Sequence, residues 1–260
     1  VSVYIGFVIS IFFSLWAAGM SIFDALNHAF SIAATGGFST KNLSLAYYDS
    51  DVINGIVLFF MTVCAMHFGL LYSVIVTGSL KPMNNTVVKY YFTSIIICTA
   101  IVMISLMTQG GYTSWGRAAM DSAFTVVSYM STAGFAICDN SFWPALAVLV
   151  LIFVSFQCGC SGSTTGGIKV DRLVIAFKGI MHEIRHRIHP SAVTQVRMSG
   201  QNLSESSVNA VMMFIVVYII VMFISMVGVM LCGTEPATAF TGVVASLGSV
   251  GPGVGELGSL

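Results

Sequence analysis

The sequence predicts an all-α, polytopic membrane protein with pseudo-repeated units of the potassium-channel-like type, each a helix, a re-entrant pore-helix loop and a second helix. Three observations carry that prediction. Hydrophobic residues fill 57% of the 260 positions and charged residues only 8%, with a mean hydropathy of +0.92, far from the roughly 25% charged residues of a globular domain. Several apolar runs approach or exceed the ~20 residues that a helix needs to cross a hydrocarbon core. Three short glycine-bearing segments recur between those runs, each after a brief amphipathic stretch: Ala34 to Ser39, Ser131 to Ala136 and Gly248 to Gly253. One of them could be an ordinary turn, but three in comparable places read as one device, copied and diverged.

Taken in order, the first expected span is Val1 to Met20. Ser21 to Ala34 follows, with a serine cap candidate and apolar residues at helical spacing. At about 14 residues it would rise ~21 Å, too little to cross the core, so it reads as a re-entrant half-helix. Ile53 to Gly78 and Thr86 to Met107 are the next two apolar runs. Trp115 to Met130 and Glu235 to Leu247 repeat the half-helix design, with Asp121 and Glu235 in or near their first turns, where a carboxylate suits the positive end of the dipole. A span beginning near Ala145 is interrupted at Gly159 to Gly167, where Gly, Ser and Thr replace aliphatic side chains. Val208 to Cys232 is the last long run.

Formal net charge is zero, but the charges are segregated. Lys81, Lys89, Lys169, Arg172, Lys178, Arg185, Arg187 and Arg197, most of the ten basic residues, fall on one side by span count, which the positive-inside tendency assigns to the cytoplasm. Asp24, Asp49, Asp51, Asp121, Asp139, Glu235 and Glu256 fall on the other, where an acidic vestibule would concentrate cations. The six cysteines form no disulfide or zinc framework: Cys64, Cys98 and Cys232 lie within apolar runs, and Cys158 and Cys160 have no second pair. His28 and His67 have no evident partners and read as packing residues.

The glycine segments need extended or left-handed backbone at membrane depth, which is tolerated only where it lines a cavity or is covered by protein. A selectivity filter has that requirement: carbonyls replace the hydration shell of an ion, and glycine supplies the dihedrals that aim them. The candidate ion-binding residues are Thr35, Gly36 and Gly37, then Thr132, Ala133 and Gly134, then Ser249, Val250 and Gly251. A hydroxyl two residues before each central glycine would sit at the inner end of the row. Phe38 and Phe135 would pack behind the filter as wedges, and Pro252 breaks that pattern in the third copy. Because helix carboxyl ends precede the glycines, their partial negative charge favours a cation. A secondary transporter of another small ion is the alternative, since re-entrant half-helices serve those proteins too.

The run Ala34-Thr-Gly-Gly-Phe-Ser-Thr40, then Ser131-Thr-Ala-Gly-Phe135, then Gly159-Cys-Ser-Gly-Ser-Thr-Thr-Gly-Gly-Ile-Lys169, then His189-Pro-Ser-Ala-Val193 and Ser249-Val-Gly-Pro-Gly253 closely resembles the TrkH/KtrB potassium-uptake subunits, the TrkH branch more than the KtrB branch. The resemblance implies four helix, pore-loop, helix repeats around one pore. On that pattern residues 1–80 form a second-repeat-like unit and 81–188 a third-repeat-like unit with its inner helix interrupted at 159–167. Residues 189–260 are then a cytoplasmic connection followed by the first helix and pore loop of an incomplete fourth repeat, so the chain is expected to be a fragment without the first repeat and the final helix.

The resemblance also implies a gating loop that blocks the pore until displaced, carried by Gly159, Gly162, Ser163, Thr164, Thr165, Gly166, Gly167 and Lys169. It implies potassium as the transported substrate at the filter, no bound cofactor and no enzymatic step, in a symporter or a gated channel. The expected partners are the lipid bilayer, a second copy of the protein in a homodimer and a cytoplasmic TrkA/KtrA-type nucleotide-binding regulatory subunit, with no nucleic acid. The expected location is the plasma membrane, the inner membrane of a prokaryote.

One motif competes. His182-Glu183-Ile184-Arg185-His186 matches the HExxH zinc-protease pattern. Arg185, Arg187 and His189 make its surroundings cationic, and no third ligand follows at a familiar spacing. A membrane-proximal basic helix that meets anionic lipid or a partner is the preferred reading, with no zinc site expected.

Overall fold

The computed structural model describes residues 2–189, 195–198 and 201–253. Its helices are α1 (Ser2–Ala17), α2 (Ile22–Ala33), α3 (Asp51–Cys64), α4 (Phe68–Thr77), α5 (Thr86–Gln109), α6 (Trp115–Met130), α7 (Ala145–Gln157), α8 (Val170–Ile188), α9 (Glu205–Leu231) and α10 (Pro236–Gly248). Two short antiparallel strands, β1 (Arg197–Met198) and β2 (Gln201–Asn202), form the only hairpin among the described residues. The architecture is that of an all-α polytopic membrane protein.

A helix packed on a short helix occurs three times: α1 on α2, α5 on α6 and α9 on α10. Each short helix starts at a polar or acidic cap and stops at a glycine segment. Ser21 caps α2 by accepting from the Asp24 amide at 3.1 Å, while Pro at the first turn of α10 supplies preset helical φ where no amide partner is needed. Asn85 and Ser204 cap the long helices α5 and α9 by accepting from Val87 and Ser207.

α5, with 24 residues, and α9, with 27, are long and apolar enough to cross a membrane. α9 buries only Met222, so nearly its whole surface is an apolar exterior suited to lipid or protein. Besides a small cluster of Met222, Val243 and Val244 between α9 and α10, two larger buried clusters hold the rest together. One surrounds Ile11, Leu15, Ile32, Phe124 and Phe135, joining α1, α2, α3 and α6. The other surrounds Tyr91, Leu106, Tyr129, Leu151 and Val154, joining α5, α6 and α7.

Several expectations are corrected. The run from Ile53 to Gly78 is not one straight helix: α3 and α4 meet at 99° across Ala65, Met66 and His67. The cause is tertiary, because the Ala65 carbonyl accepts from Cys160 N at 2.9 Å and Phe68 N donates to the Gly162 carbonyl at 3.1 Å. His67 then caps α4 through Nδ1, which accepts from Gly69 N. α1 covers 16 residues, or ~24 Å at 1.5 Å per residue, shorter than the run from Val1 to Met20. Asp121 lies in the second turn of α6, where its carboxylate pairs with Arg117 at 3.1 Å and accepts from the Tyr112 hydroxyl, so it answers a local cation and not the helix dipole. Residues 190–193 of the His189-to-Val193 motif lie outside the described residues, as do Val1 and Glu256.

Candidate functional site: three glycine caps and the loop beneath them

The three short helices end in the same way. Thr35, Thr132 and Ser249 have φ of 51°, 55° and 56°, and the glycines two residues on, Gly37, Gly134 and Gly251, have φ of 72°, 73° and 95°. The caps carry matching hydrogen bonds. Thr35, Thr132 and Ser249 donate three residues back, to Ile32, Tyr129 and Ser246. Gly36, Ala133 and Val250 donate five residues back, to Ser31, Ser128 and Ala245, at 2.7, 3.0 and 2.8 Å. This is the Schellman pattern, which usually places glycine in the left-handed position. A β-branched threonine there costs about 1–2 kcal/mol, and such cost persists where the surroundings demand it, often at functional sites.

Each cap meets the next. A Cβ on Gly37 would collide with the Ala133 carbonyl oxygen, and one on Gly134 with the Val250 carbonyl oxygen and Pro252. Both glycines are therefore required for close approach as well as for φ. The contacts run in one sense, first segment to second and second to third, as in a ring. A Cβ on Gly251 would meet none of the described residues within 4 Å.

Further bonds fix the segments from behind. Ser128 donates to the Phe135 carbonyl at 2.7 Å, and the Ala136 carbonyl accepts from the amides of Leu45 and Ala46 in the 3-10 turn after the first segment. Tyr129 donates from α6 to the Gly253 carbonyl of the third segment at 2.7 Å, and accepts from Asn140 Nδ2 at 2.9 Å. Phe135 is 2% exposed and fills the wedge position, whereas Phe38 is 83% exposed and does not. Ser31, the counterpart of Ser128, has a buried hydroxyl with no partner among the described residues, so the first segment lacks the tie that seats Phe135.

The chain from Cys158 to Lys169 crosses beneath all three caps. Thr164 Oγ1 donates to the Ala33 carbonyl at 3.3 Å, and Gly166 N donates to Thr132 Oγ1 at 3.2 Å. A Cβ on Gly166 would strike the Gly248 carbonyl and lie 2.9 Å from Ser249 Cβ. Ser163, Thr165 and Lys169 look inward to the loop: the Ser163 hydroxyl donates to the Cys160 carbonyl at 2.6 Å, Ser163 and Thr165 hydroxyls are 2.7 Å apart, and Lys169 Nζ donates to the Ser163 carbonyl at 3.4 Å. The freed backbone groups of the broken span are thus satisfied by local hydroxyls. Gly162, at φ 78°, packs on the His67 ring, Gly159 on the Ala65 carbonyl and Gly167 on Cys158 Sγ. Asp171 accepts from Ser161 N and holds the start of α8 to the loop.

Sequence reading missed the corner at Ala65 to His67 as the seat of this loop. A histidine followed by Phe68-Gly69 inside an apolar run was the available signal. It also missed the partners of His28, which is buried and bonded to Asp24 and Ser39. On the acidic face, Thr40 donates to Asp24 Oδ1 at 2.6 Å and Lys41 lies 3.5 Å from Oδ2. The Ser141 hydroxyl, and after it the Ser141 amide, holds the Asp139 carboxyl below its ordinary pKa. The HExxH histidines, His182 and His186, stack at 6.5 Å on α8, and no group of three or more His, Cys, Asp or Glu converges among the described residues.

The sequence profile of TrkH, described as a cation transport protein, matches residues 1–260. The Trk system potassium uptake protein TrkH of Escherichia coli K12 is 34% identical over 258 residues, covering 97% of this chain and 53% of that protein. Its counterpart in Halomonas elongata is 36% identical over 244 residues, covering 92% of this chain and 50% of that protein. The crystal structure of the potassium transporter TrkH from Vibrio parahaemolyticus superposes with a TM-score of 0.93 at 33% identity, over 98% of this chain and 55% of that one. The chain thus spans about half the length of the curated relatives it matches.

Proposed function

Since the chain belongs to the TrkH family of cation transport proteins, we propose that it contributes the ion path of a potassium-uptake system. The observation that carries the reading is the sequential contact of the glycine caps, in which the Ala133 and Val250 carbonyls abut the neighbouring glycines. Potassium sheds water against carbonyls of Gly36, Gly37, Ala133, Gly134, Val250 and Gly251, with hydroxyls of Thr35, Thr132 and Ser249 at the inner end. The carboxyl ends of α2, α6 and α10 add partial negative charge. Potassium is substrate, and the chain binds no cofactor and catalyses no covalent step. The loop holding Gly159, Gly162, Ser163, Thr164, Thr165, Gly166, Gly167 and Lys169 is the gate and opens by leaving the caps.

The unit boundaries follow the repeat: 1–80, 81–188 and 189–260. The protein acts in the plasma membrane of a prokaryote as a homodimer, regulated by a TrkA/KtrA-type nucleotide-binding subunit, as its family resemblance suggests. The relatives' names as potassium uptake proteins support the choice of ion. Transport of another small ion is the second reading. The intact gene should restore growth of a potassium-uptake-deficient cell at low external potassium. Failure with confirmed membrane insertion sinks the proposal. Gly134→Ser should lower preference for potassium over sodium in flux assays, because its Cβ meets the Val250 carbonyl.

A further inference from the structure

We infer that His28 is a positioning residue that clamps the first two filter segments together and thereby sets ion preference, an inference that rests on the filter reading above. The ring is 0% exposed on α2. Its Nδ1 lies 2.7 Å from the Asp24 carbonyl oxygen, which can only accept, so Nδ1 carries the proton. In the neutral ring Nε2 then accepts from the Ser39 hydroxyl, 3.0 Å away. Ser39 Oγ itself accepts from the Lys41 amide at 3.1 Å, which fixes the limb leaving Gly37.

The same ring reaches the second segment by its face. It stacks on Phe135 with centroids 5.9 Å apart and planes at 25°, while Tyr48 closes its edge at 5.8 Å and 81°. Phe135 is held to α6 through its own carbonyl. One side chain therefore bonds the limb after Gly37 and stacks on the limb after Gly134. Between those limbs lies the contact of Gly37 with the Ala133 carbonyl. That carbonyl is a candidate ion ligand, so the clamp sets the spacing and stiffness of ligands that it never touches. Cavity size and carbonyl field are the two properties that decide potassium over sodium.

The test uses the intact gene product, purified, with thermal stabilisation by potassium and by sodium chloride as the readout, since an ion that binds the folded state raises the midpoint. The half-saturating concentrations give an ion-preference ratio that does not require transport. His28→Ala should lower the ratio about tenfold, equivalent to about 1.4 kcal/mol. Ser39→Ala, which leaves the ring and its Asp24 bond, should lower it about threefold. His28→Gln can donate to the Asp24 carbonyl and accept from Ser39, and should recover most of the ratio. An unchanged ratio in both His28→Ala and Ser39→Ala, even with a reduced midpoint in the absence of ions, overturns the inference and leaves His28 a packing residue. If His28→Ala does not fold, the ratio in Ser39→Ala decides. Should the unsubstituted protein itself show no preference, the filter reading fails before this one is reached.

Discussion

The glycine segments at Gly37 and Gly134 share a backbone and differ in what surrounds it. Both follow a half-helix, put threonine in the left-handed region and place a glycine of positive φ two residues later. Yet Phe135 is sealed into the core, and Phe38, at the same place in its segment, projects outward. Ser128 ties its segment to α6, while the Ser31 hydroxyl has no partner among the described residues. Among the described residues, the second segment has a neighbouring segment on either side, and the third, at Gly251, has one. Local capping therefore sets the conformation, and neighbours set how firmly it is held. Carbonyl direction is inherited from the helix end, whereas carbonyl stiffness is a tertiary property.

The largest effect should come from the glycines. Gly37→Ala and Gly134→Ala combine a disfavoured φ with collision against a neighbouring carbonyl, and should each cost about 3 kcal/mol or more in thermal unfolding of the detergent-solubilised protein. Gly251→Ala carries only the φ penalty, about 1–2 kcal/mol. Equal losses at all three would break the distinction between local and tertiary restraint. Tyr129→Phe comes next, since it removes a donor to Gly253 and an acceptor for Asn140, at about 2 kcal/mol. Its loosening should reach the third segment first, read as faster cysteine labelling at position 253 than at position 37.

The wedges test the contrast more gently. Phe135→Leu should cost about 1 kcal/mol and Phe38→Leu less than about 0.5 kcal/mol. The hydroxyls should act on the loop more than on the stability of the fold. Thr132→Val leaves the Gly166 amide without its acceptor, which at about 1 kcal/mol should raise loop opening ~5-fold in single-channel or flux recordings. Thr35→Val should change opening little, because among the described residues the Thr35 hydroxyl bonds only the adjacent Ala34 carbonyl. Matching increases from both would place the hold on the loop elsewhere.

Much of this was legible in the residues. The half-helix expected over Ser21 to Ala34 is α2, Ile22–Ala33, and the one expected over Trp115 to Met130 is α6 with the same bounds. Serine caps and glycine stops are local signals, and local signals survive folding. The break expected at Gly159 to Gly167 starts at Cys158 for the same reason. The 99° corner at Ala65 to His67 was no more than hinted at by His67 and Gly69, because neither residue forbids a straight helix in that apolar run. It forms where the amide of Cys160 and the carbonyl of Gly162, about a hundred residues away, supply the missing partners. Nor could spacing reveal that Phe38 and Phe135 have different fates, or that His28 faces Phe135. Both depend on which segments become neighbours.

The loop from Cys158 to Lys169 is bonded to the caps at Ala33 and Thr132 and to the corner at Ala65, and packs closely against Gly248 and Ser249. On the proposed reading, that manner of fastening makes it a poor dimmer and a good switch. Losing one attachment moves nothing out of the path, and the others pull the strand back. Losing all of them together is rare but complete. The current through such a pore should come in square steps of one height, with graded demand met by how often it opens and not by how wide.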